Sequence, residues 1–313
     1  MKPRLLQHGR LPEHTEARLA EHFDVHPLWA ESDPAAYLAQ HGGEFVAMTT
    51  RAATGVDAPM LATLPNLRVI SSFGVGLDKL DLDTARARGI AVGYTPDVLN
   101  DCVADTAFAL LMDAARQVSA ADRFVRRGGW LKGPYPLTTR VSGKRLGIVG
   151  LGRIGQAIAQ RAAGFALDIR YHSRRPVASA PYGHEPDLLA LARWADFLVV
   201  TTPGGAATHH LINGEVLQAL GPQSFLINVA RGSVVDEAAL VQALQNRVIG
   251  GAGLDVFADE PHVPEALLSL DNVVLLPHVA SGTHDTRQAM ADLTVANLDA
   301  FFAGERVISP LHS

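Results

Sequence analysis

A strand, a glycine turn and a helix follow one another within residues 145–165, RLGIVGLGRIGQAIAQRAAGF. No other feature narrows the folds open to this chain as much. Gly150, Gly152 and Gly155 stand at G-x-G-x-x-G spacing. The first permits a tight turn, the second lets the backbone approach a pyrophosphate, and the third lets the following helix sit close. The helix N-terminus then offers its unpaired N–H groups to the anion. Alone, the spacing would describe a plain glycine turn. Between an apolar strand and a helix it predicts a dinucleotide site on a parallel α/β sheet.

The ribose partner is expected at the end of the next strand, LDIRYHS. Asp168 lies at the textual distance of a ribose-binding acid, but at the start of that strand and so far from the ribose. Past the strand end come Ser173, Arg174 and Arg175. An adenosine 2′-phosphate needs cations and hydroxyl donors there, whereas NAD favours a carboxylate. These residues predict NADP, as NADPH, with NAD at lower preference. The competing reading is a solvated basic turn.

The same alternation runs nearly from end to end. Strands are predicted at RLLQHG, DVHPLW, FVAMTT, RVISSFG and IAVGYT, and again at RLGIVG, LDIRYHS, ADFLVVTTP, FLINVA, GAGLDVF and NVVLLP. Between the two series, residues 97–128 carry apolar positions at three- and four-residue spacing and predict one long helical stretch. The fold class is α/β, with two Rossmann-like or flavodoxin-like domains, each on a parallel sheet, the second inserted late in the first. A length of 313 residues with 48% hydrophobic and 19% charged residues suits two buried cores. The net charge of −5 gives no reason to expect nucleic acid or an anionic membrane as partner. The single cysteine, Cys102, excludes an internal disulfide and fits a reducing compartment. The opening residues lack the apolar run of a signal peptide, and no stretch is long enough to span a bilayer. A soluble, cytoplasmic protein is expected.

Three predicted strand ends carry ionic groups: Arg231 in INVARGSVVDE, Glu260 in GAGLDVFADEP and His278 in VVLLPHVASGT. The C-terminal strand ends of an open parallel sheet line its ligand crevice, so the three are expected to converge. Together they suit reduction of a 2-oxo acid. Arg231 can bind the substrate carboxylate and polarise the ketone, and His278 can protonate the ketone oxygen. Glu260, bonded to the other imidazole nitrogen, would orient the ring and favour its charged form. Singly, the bland readings are a surface salt bridge for Arg231, a solvated loop for Glu260 and a strand cap for His278.

These three motifs, with GLGRIG, SSFGVGLDKLD and NDCVADTAFALLM, resemble the D-isomer-specific 2-hydroxyacid dehydrogenases over roughly residues 45–300. The resemblance implies that Arg231, Glu260 and His278 are catalytic. It places the substrate-carboxylate loop on Val75 and Gly76, where a Gly-x-Gly turn would form an anion nest, and adds Ser281 to the substrate contacts. It places Arg153, Ile154, Pro203, Thr106 and Asp255 around the cofactor, Asp255 near the nicotinamide; Thr106 could equally be a packing residue. YHSRRP and PHVASGTHDTR resemble the NADPH-preferring glyoxylate/hydroxypyruvate reductase branch. Further implications are a coenzyme domain over residues 97–284, inserted in a substrate domain of residues 1–96 and 285–313, and a homodimer formed through the long helix region.

The expected reaction is NADPH-dependent reduction of glyoxylate or hydroxypyruvate to a D-2-hydroxy acid. One rival is a reductase of a bulkier 2-oxo acid, sugar-derived or aryl. Another is a nucleotide-sensing corepressor of the same fold, which the lack of a long Pro/Ser-rich tail argues against. His184 and His209–His210 show no metal-ligand pattern, so they are expected at the surface and no metal is expected. Arg51, near a strand end, is a candidate substrate contact. Trp130 is a candidate for a domain or subunit boundary or for core packing.

Overall fold

The structure is a computed structural model that describes residues 2–178 and 180–311. The chain divides into two compact units between residues 99 and 100 and again between 282 and 283. The first unit, made of both chain ends, holds β1 (Arg4–Gln7), β2 (Asp24–Pro27), β3 (Ala47–Arg51), β4 (Val69–Phe73) and β5 (Ala91–Gly93). All pairings are parallel, in the order β2-β1-β3-β4-β5. The helices on its faces start where the sequence supplies caps. Asp33, Asp57 and Asp81 each accept an amide from the first turn, those of Ala36, Met60 and Thr84. Leu6, Met48 and Ile70, one from each of three adjacent strands, share a core cluster with Phe45 and Leu61. The final helix, His284–Phe302, is tied to β4 where the Ser71 hydroxyl donates to the Thr294 carbonyl at 2.9 Å.

The second unit holds β6 (Arg145–Val149), β7 (Asp168–His172), β8 (Gly183–His184), β9 (Phe197–Val200), β10 (Phe225–Asn228), β11 (Gly251–Leu254) and β12 (Val273–Leu275). Their order is β12-β11-β10-β9-β6-β7-β8, again all parallel. Strands β9, β10 and β11 are buried throughout, which explains their nearly unbroken apolar runs. The order turns around between β6 and β9. In a doubly wound sheet that reversal opens a crevice at the C-terminal strand ends.

Two local features differ from expectation. The predicted long helix is two helices, Asn100–Arg116 and Val118–Arg126, broken at Gln117, whose φ is +53°. Asp113 stabilises the break. Its carboxylate accepts the Ser119 amide at 2.8 Å and the Ser119 hydroxyl at 2.6 Å, so it caps the second helix from the end of the first. The short β8 was not anticipated, and it changes the reading of His184. That imidazole is half-buried, 5.1 Å from the Tyr171 ring, with Nε2 3.0 Å from the Ser173 carbonyl oxygen. Trp130 is not a core residue, being 70% exposed.

Candidate active site

The glycine loop closes between β6 and the helix Arg153–Ala162. Gly150 has a φ of +97°, and its amide donates to the His172 carbonyl at 2.9 Å. A Cβ at Gly155 would fall 2.3 Å from the Gly150 carbonyl oxygen, so only glycine lets the helix sit this close to the loop. Gly152 is different. A Cβ there would meet nothing within 4 Å, so this face of the loop is open to a ligand. Arg153 and Ile154 form the first turn of the helix, the kind of terminus whose N–H groups suit an anion. Across the sheet reversal, Thr201 donates its hydroxyl to the Gly150 carbonyl at 2.5 Å. Pro203 follows, exposed, its carbonyl accepting the Thr208 hydroxyl at 2.7 Å.

Ser173, Arg174 and Arg175 leave the C-terminal end of β7, one strand over from the glycine loop. The Ser173 hydroxyl donates to the Arg175 carbonyl at 2.6 Å, and the His184 Nε2 lies 3.0 Å from the Ser173 carbonyl oxygen. Both arginines are exposed, and among the described residues neither guanidinium has an ion-pair partner. This is a fixed turn presenting uncommitted positive charge. Asp168 opens β7, at the opposite end of the strand.

Arg231, Glu260 and His278 follow three adjacent strands, β10, β11 and β12. The His278 Nδ1 and Glu260 Oε2 atoms are 2.7 Å apart, and Glu260 Oε1 accepts the Phe257 amide at 3.1 Å. Burial alone would raise the Glu260 pKa. The hydrogen bonds from His278 and Phe257, with the positive charges of His278 and Arg231, outweigh burial and hold it below the ordinary glutamate value. Arg231 also donates through Nη1 to the Ala230 carbonyl at 2.7 Å. The site therefore holds an imidazole oriented by Glu260, with the Arg231 charge within electrostatic reach of that carboxylate.

The motif INVARGSVVDE owes its spacing to this construction. Buried Asn228 accepts the Ala230 amide and donates to the Arg231 carbonyl, at 3.0 and 3.1 Å, which fixes the turn that presents Arg231. A Cβ at Gly232 would lie 1.9 Å from the Phe257 carbonyl carbon, so glycine is needed for the β10 and β11 loops to touch. Asp236 caps the next helix, and Glu237 accepts the Ala258 amide at 3.1 Å. None of Asn228, Gly232 and Glu237 was singled out from sequence, although all three lie within the motif that carries Arg231.

Asp255, just past β11, is buried. Its carboxylate accepts the amides of Val279 and Ala280 at 2.8 and 2.9 Å. Burial raises its pKa, against the opposing effect of those two amides and of the His278 charge. These bonds hold His278 at a φ of +53°, in the left-handed region that a residue with a Cβ rarely adopts. Thr106 braces the same turn, its hydroxyl lying 3.3 Å from the Ala280 carbonyl and 3.2 Å from that of Cys102. Ser281, half-buried, continues the turn. In the first unit, Val75 and Gly76 follow the C-terminal end of β4. Among the described residues neither amide donates to a protein acceptor.

The sequence profile described as "D-isomer specific 2-hydroxyacid dehydrogenase, NAD binding domain" matches residues 108–280, more than half of the chain. The chain belongs to the D-isomer-specific 2-hydroxyacid dehydrogenases. It is 45% identical to a glyoxylate/hydroxypyruvate reductase A of Arabidopsis thaliana, over 96% of each chain. It is 46% identical to a hydroxyphenylpyruvate reductase of Plectranthus scutellarioides, over 95% of each. Among solved structures it resembles an NADPH-dependent glyoxylate/hydroxypyruvate reductase from Sinorhizobium meliloti, crystallised in complex with NADP and malonate. That likeness has a TM-score of 0.91 and 43% identity, and covers 99% of this chain and 97% of the other. The family membership agrees with the sequence reading of fold and reaction type.

Proposed function

We propose that the protein reduces small 2-oxo acids to D-2-hydroxy acids with NADPH, glyoxylate and hydroxypyruvate foremost. The observation that carries this reading is the Glu260–His278 pair, 2.7 Å apart, with Arg231 presented from the next strand end. Arg231 binds the substrate carboxylate and polarises the ketone oxygen. His278 gives that oxygen a proton, while Glu260 keeps the ring in place through Nδ1 and leaves Nε2 for the substrate. Val75, Gly76 and Ser281 complete the substrate contacts, the first two as an anion nest.

The residues present fit NADPH. The open face at Gly152 and the helix terminus at Arg153 and Ile154 suit a pyrophosphate, with Gly150 and Gly155 shaping the loop. Ser173, Arg174 and Arg175 suit a 2′-phosphate, and Thr106, Pro203 and Asp255 suit the remainder of the cofactor. When bound, NADPH supplies the hydride. NAD is a weaker alternative, for want of a ribose carboxylate. In this reading residues 97–284 are the coenzyme domain, and residues 1–96 with 285–313 are the substrate domain.

A second reading, a bulkier substrate, is supported by the 46% identity to a hydroxyphenylpyruvate reductase. Assaying glyoxylate, hydroxypyruvate, an aryl pyruvate and a sugar-derived 2-oxo acid with NADPH and with NADH separates the two. Catalytic efficiency highest for glyoxylate or hydroxypyruvate supports the first reading, and highest for the aryl or sugar-derived acid supports the second. Oxidation of NADPH with none of them overturns both.

We also propose a cytoplasmic homodimer. The apolar side chains of Val118, Val125, Trp130 and Leu131 are exposed together on a helix, Val118–Arg126, that buries none of its own residues, and on the turn after it. Such a patch suits an interface between subunits. The single cysteine suits a reducing compartment, and among the described residues no helix is long and apolar enough to cross a membrane. Sedimentation of the wild type against Trp130→Ser/Leu131→Ser tests the dimer, which should weaken to monomer in the variant.

A further inference from the structure

The turn that carries Arg174 and Arg175 has no backbone ladder to hold it. It leaves β7 after His172, and among the described residues no backbone–backbone hydrogen bond reaches Ser173, Arg174 or Arg175. Two adjacent positive charges repel, so an unrestrained chain would open there. Side chains close it instead, and two of them come from β7 and β8. We propose that Tyr171 and His184 are positioning residues for cofactor choice, clamping both ends of this turn so that its arginines meet the 2′-phosphate of NADPH already in place. The proposal rests on the NADPH reading above and adds two residues that act through the turn.

Tyr171 and His184 are register partners in the parallel β7–β8 pair, so their side chains leave the same face of the sheet. Their rings lie 5.1 Å apart. Tyr171 is buried, and its hydroxyl accepts the Val177 amide at 2.8 Å, which fixes where the turn ends. The His184 Nε2 lies 3.0 Å from the Ser173 carbonyl oxygen, which fixes where the turn begins. A carbonyl oxygen only accepts, so Nε2 carries the proton in this contact, whether the ring is neutral or charged. Between the two ends, the Ser173 hydroxyl closes on the Arg175 carbonyl at 2.6 Å. One residue before the turn, the His172 carbonyl accepts the Gly150 amide at 2.9 Å, which ties the segment to the glycine loop.

β8 is two residues long and stands at the sheet edge, where it sets an imidazole beside Ser173. Its own position is secured from β7. The Glu185 amide donates to the Tyr171 carbonyl at 2.7 Å, and the His172 Nδ1 lies 3.0 Å from the Glu185 carbonyl oxygen. A turn ordered before it meets an anion has little backbone freedom left to lose on binding. More of the attraction between guanidinium and phosphate then appears as affinity. NADH has no 2′-phosphate and draws nothing from the turn. The clamp therefore acts on the difference between the two cofactors, and not on hydride transfer or proton donation.

The test measures Kd for NADPH and for NADH by fluorescence titration, with kcat on glyoxylate alongside. The proteins are the wild type, Tyr171→Phe, His184→Phe, His184→Gln, Arg174→Ala/Arg175→Ala, and that double variant with His184→Phe added. Phe keeps each ring and removes its polar atom, whereas Gln keeps an N–H near the reach of Nε2. Each Phe variant should raise Kd for NADPH by about three- to tenfold, up to the worth of one charge-assisted bond, and leave Kd for NADH and kcat within about twofold. His184→Gln should stay within about twofold of the wild type for both cofactors, because the donor is kept. Without the two arginines, His184→Phe should change Kd for NADPH by less than about twofold, since its effect runs through them. The clamp is overturned by an unchanged cofactor preference in either Phe variant, an equal loss for both cofactors, a His184→Gln no better than His184→Phe, or a full effect of His184→Phe without the arginines. In each of those cases the NADPH reading still stands if the arginine variant alone weakens NADPH selectively. A wild type that binds both cofactors equally overturns both.

Discussion

His278 Nδ1 and Glu260 Oε2 lie 2.7 Å apart, although the two residues reach each other from different strand ends and His278 does so from a left-handed backbone. The Glu260 pKa is held below its ordinary value in the folded protein. A depressed carboxylate contributes stability that is present above its unfolded pKa and lost as pH falls through its folded one. Glu260→Gln should therefore melt below the wild type at neutral pH, and the two should converge in acid. Its kcat should fall by about tenfold or more, though less than on losing the proton donor itself. Equal melting curves at neutral pH would leave the pair without a role in stability.

Asp255 should show the opposite pH trend. Its raised pKa means that its contribution is present below the unfolded value and is lost as pH rises through the folded one. Denaturation of Asp255→Asn by urea should show a deficit against the wild type that widens toward low pH. Asp255→Ala leaves the Val279 and Ala280 amides without their acceptor and should cost about 1–3 kcal/mol. It should also lower kcat, because the turn that holds His278 loosens. A variant with wild-type stability and rate would show that the turn holds itself.

In the proposed reading, cofactor choice depends on the turn after β7. Arg174→Ala should raise KM for NADPH by about tenfold, with much less effect on NADH, and added salt should narrow the gap between the cofactors. Ser173→Asp should go further, repelling the 2′-phosphate while offering a carboxylate to the ribose hydroxyls. Equal use of both cofactors by the wild type, unaltered in Arg174→Ala, would make the turn a merely solvated one.

Most of this architecture was legible in the sequence, because buried parallel strands such as FLVV and FLIN leave nearly unbroken apolar runs. The two-residue β8 carries no such run, and it forms because Arg170 and Tyr171 supply a pairing edge. The break at Gln117 was hidden by apolar spacing that continues past it; the capping by Asp113 is visible only in three dimensions. In the candidate site, Arg231, Glu260 and His278 were picked out by residue type, and the structure sets them after three adjacent strands with Glu260 and His278 2.7 Å apart. The contacts that place them were harder to see. Asp255 reaches the His278 turn across 24 positions of sequence, and Gly232 matters only because the Phe257 carbonyl is beside it.

The central claim is that His278 protonates a 2-oxo acid reduced by NADPH. The most direct measurement is steady-state oxidation of NADPH with glyoxylate by the wild type and His278→Ala, alongside a fluorescence titration of NADPH binding to each. The account predicts turnover by the wild type and a kcat lower by about 10²–10⁴-fold in the variant, with NADPH affinity nearly intact. A His278→Ala enzyme that turns over glyoxylate at close to the wild-type rate would contradict it.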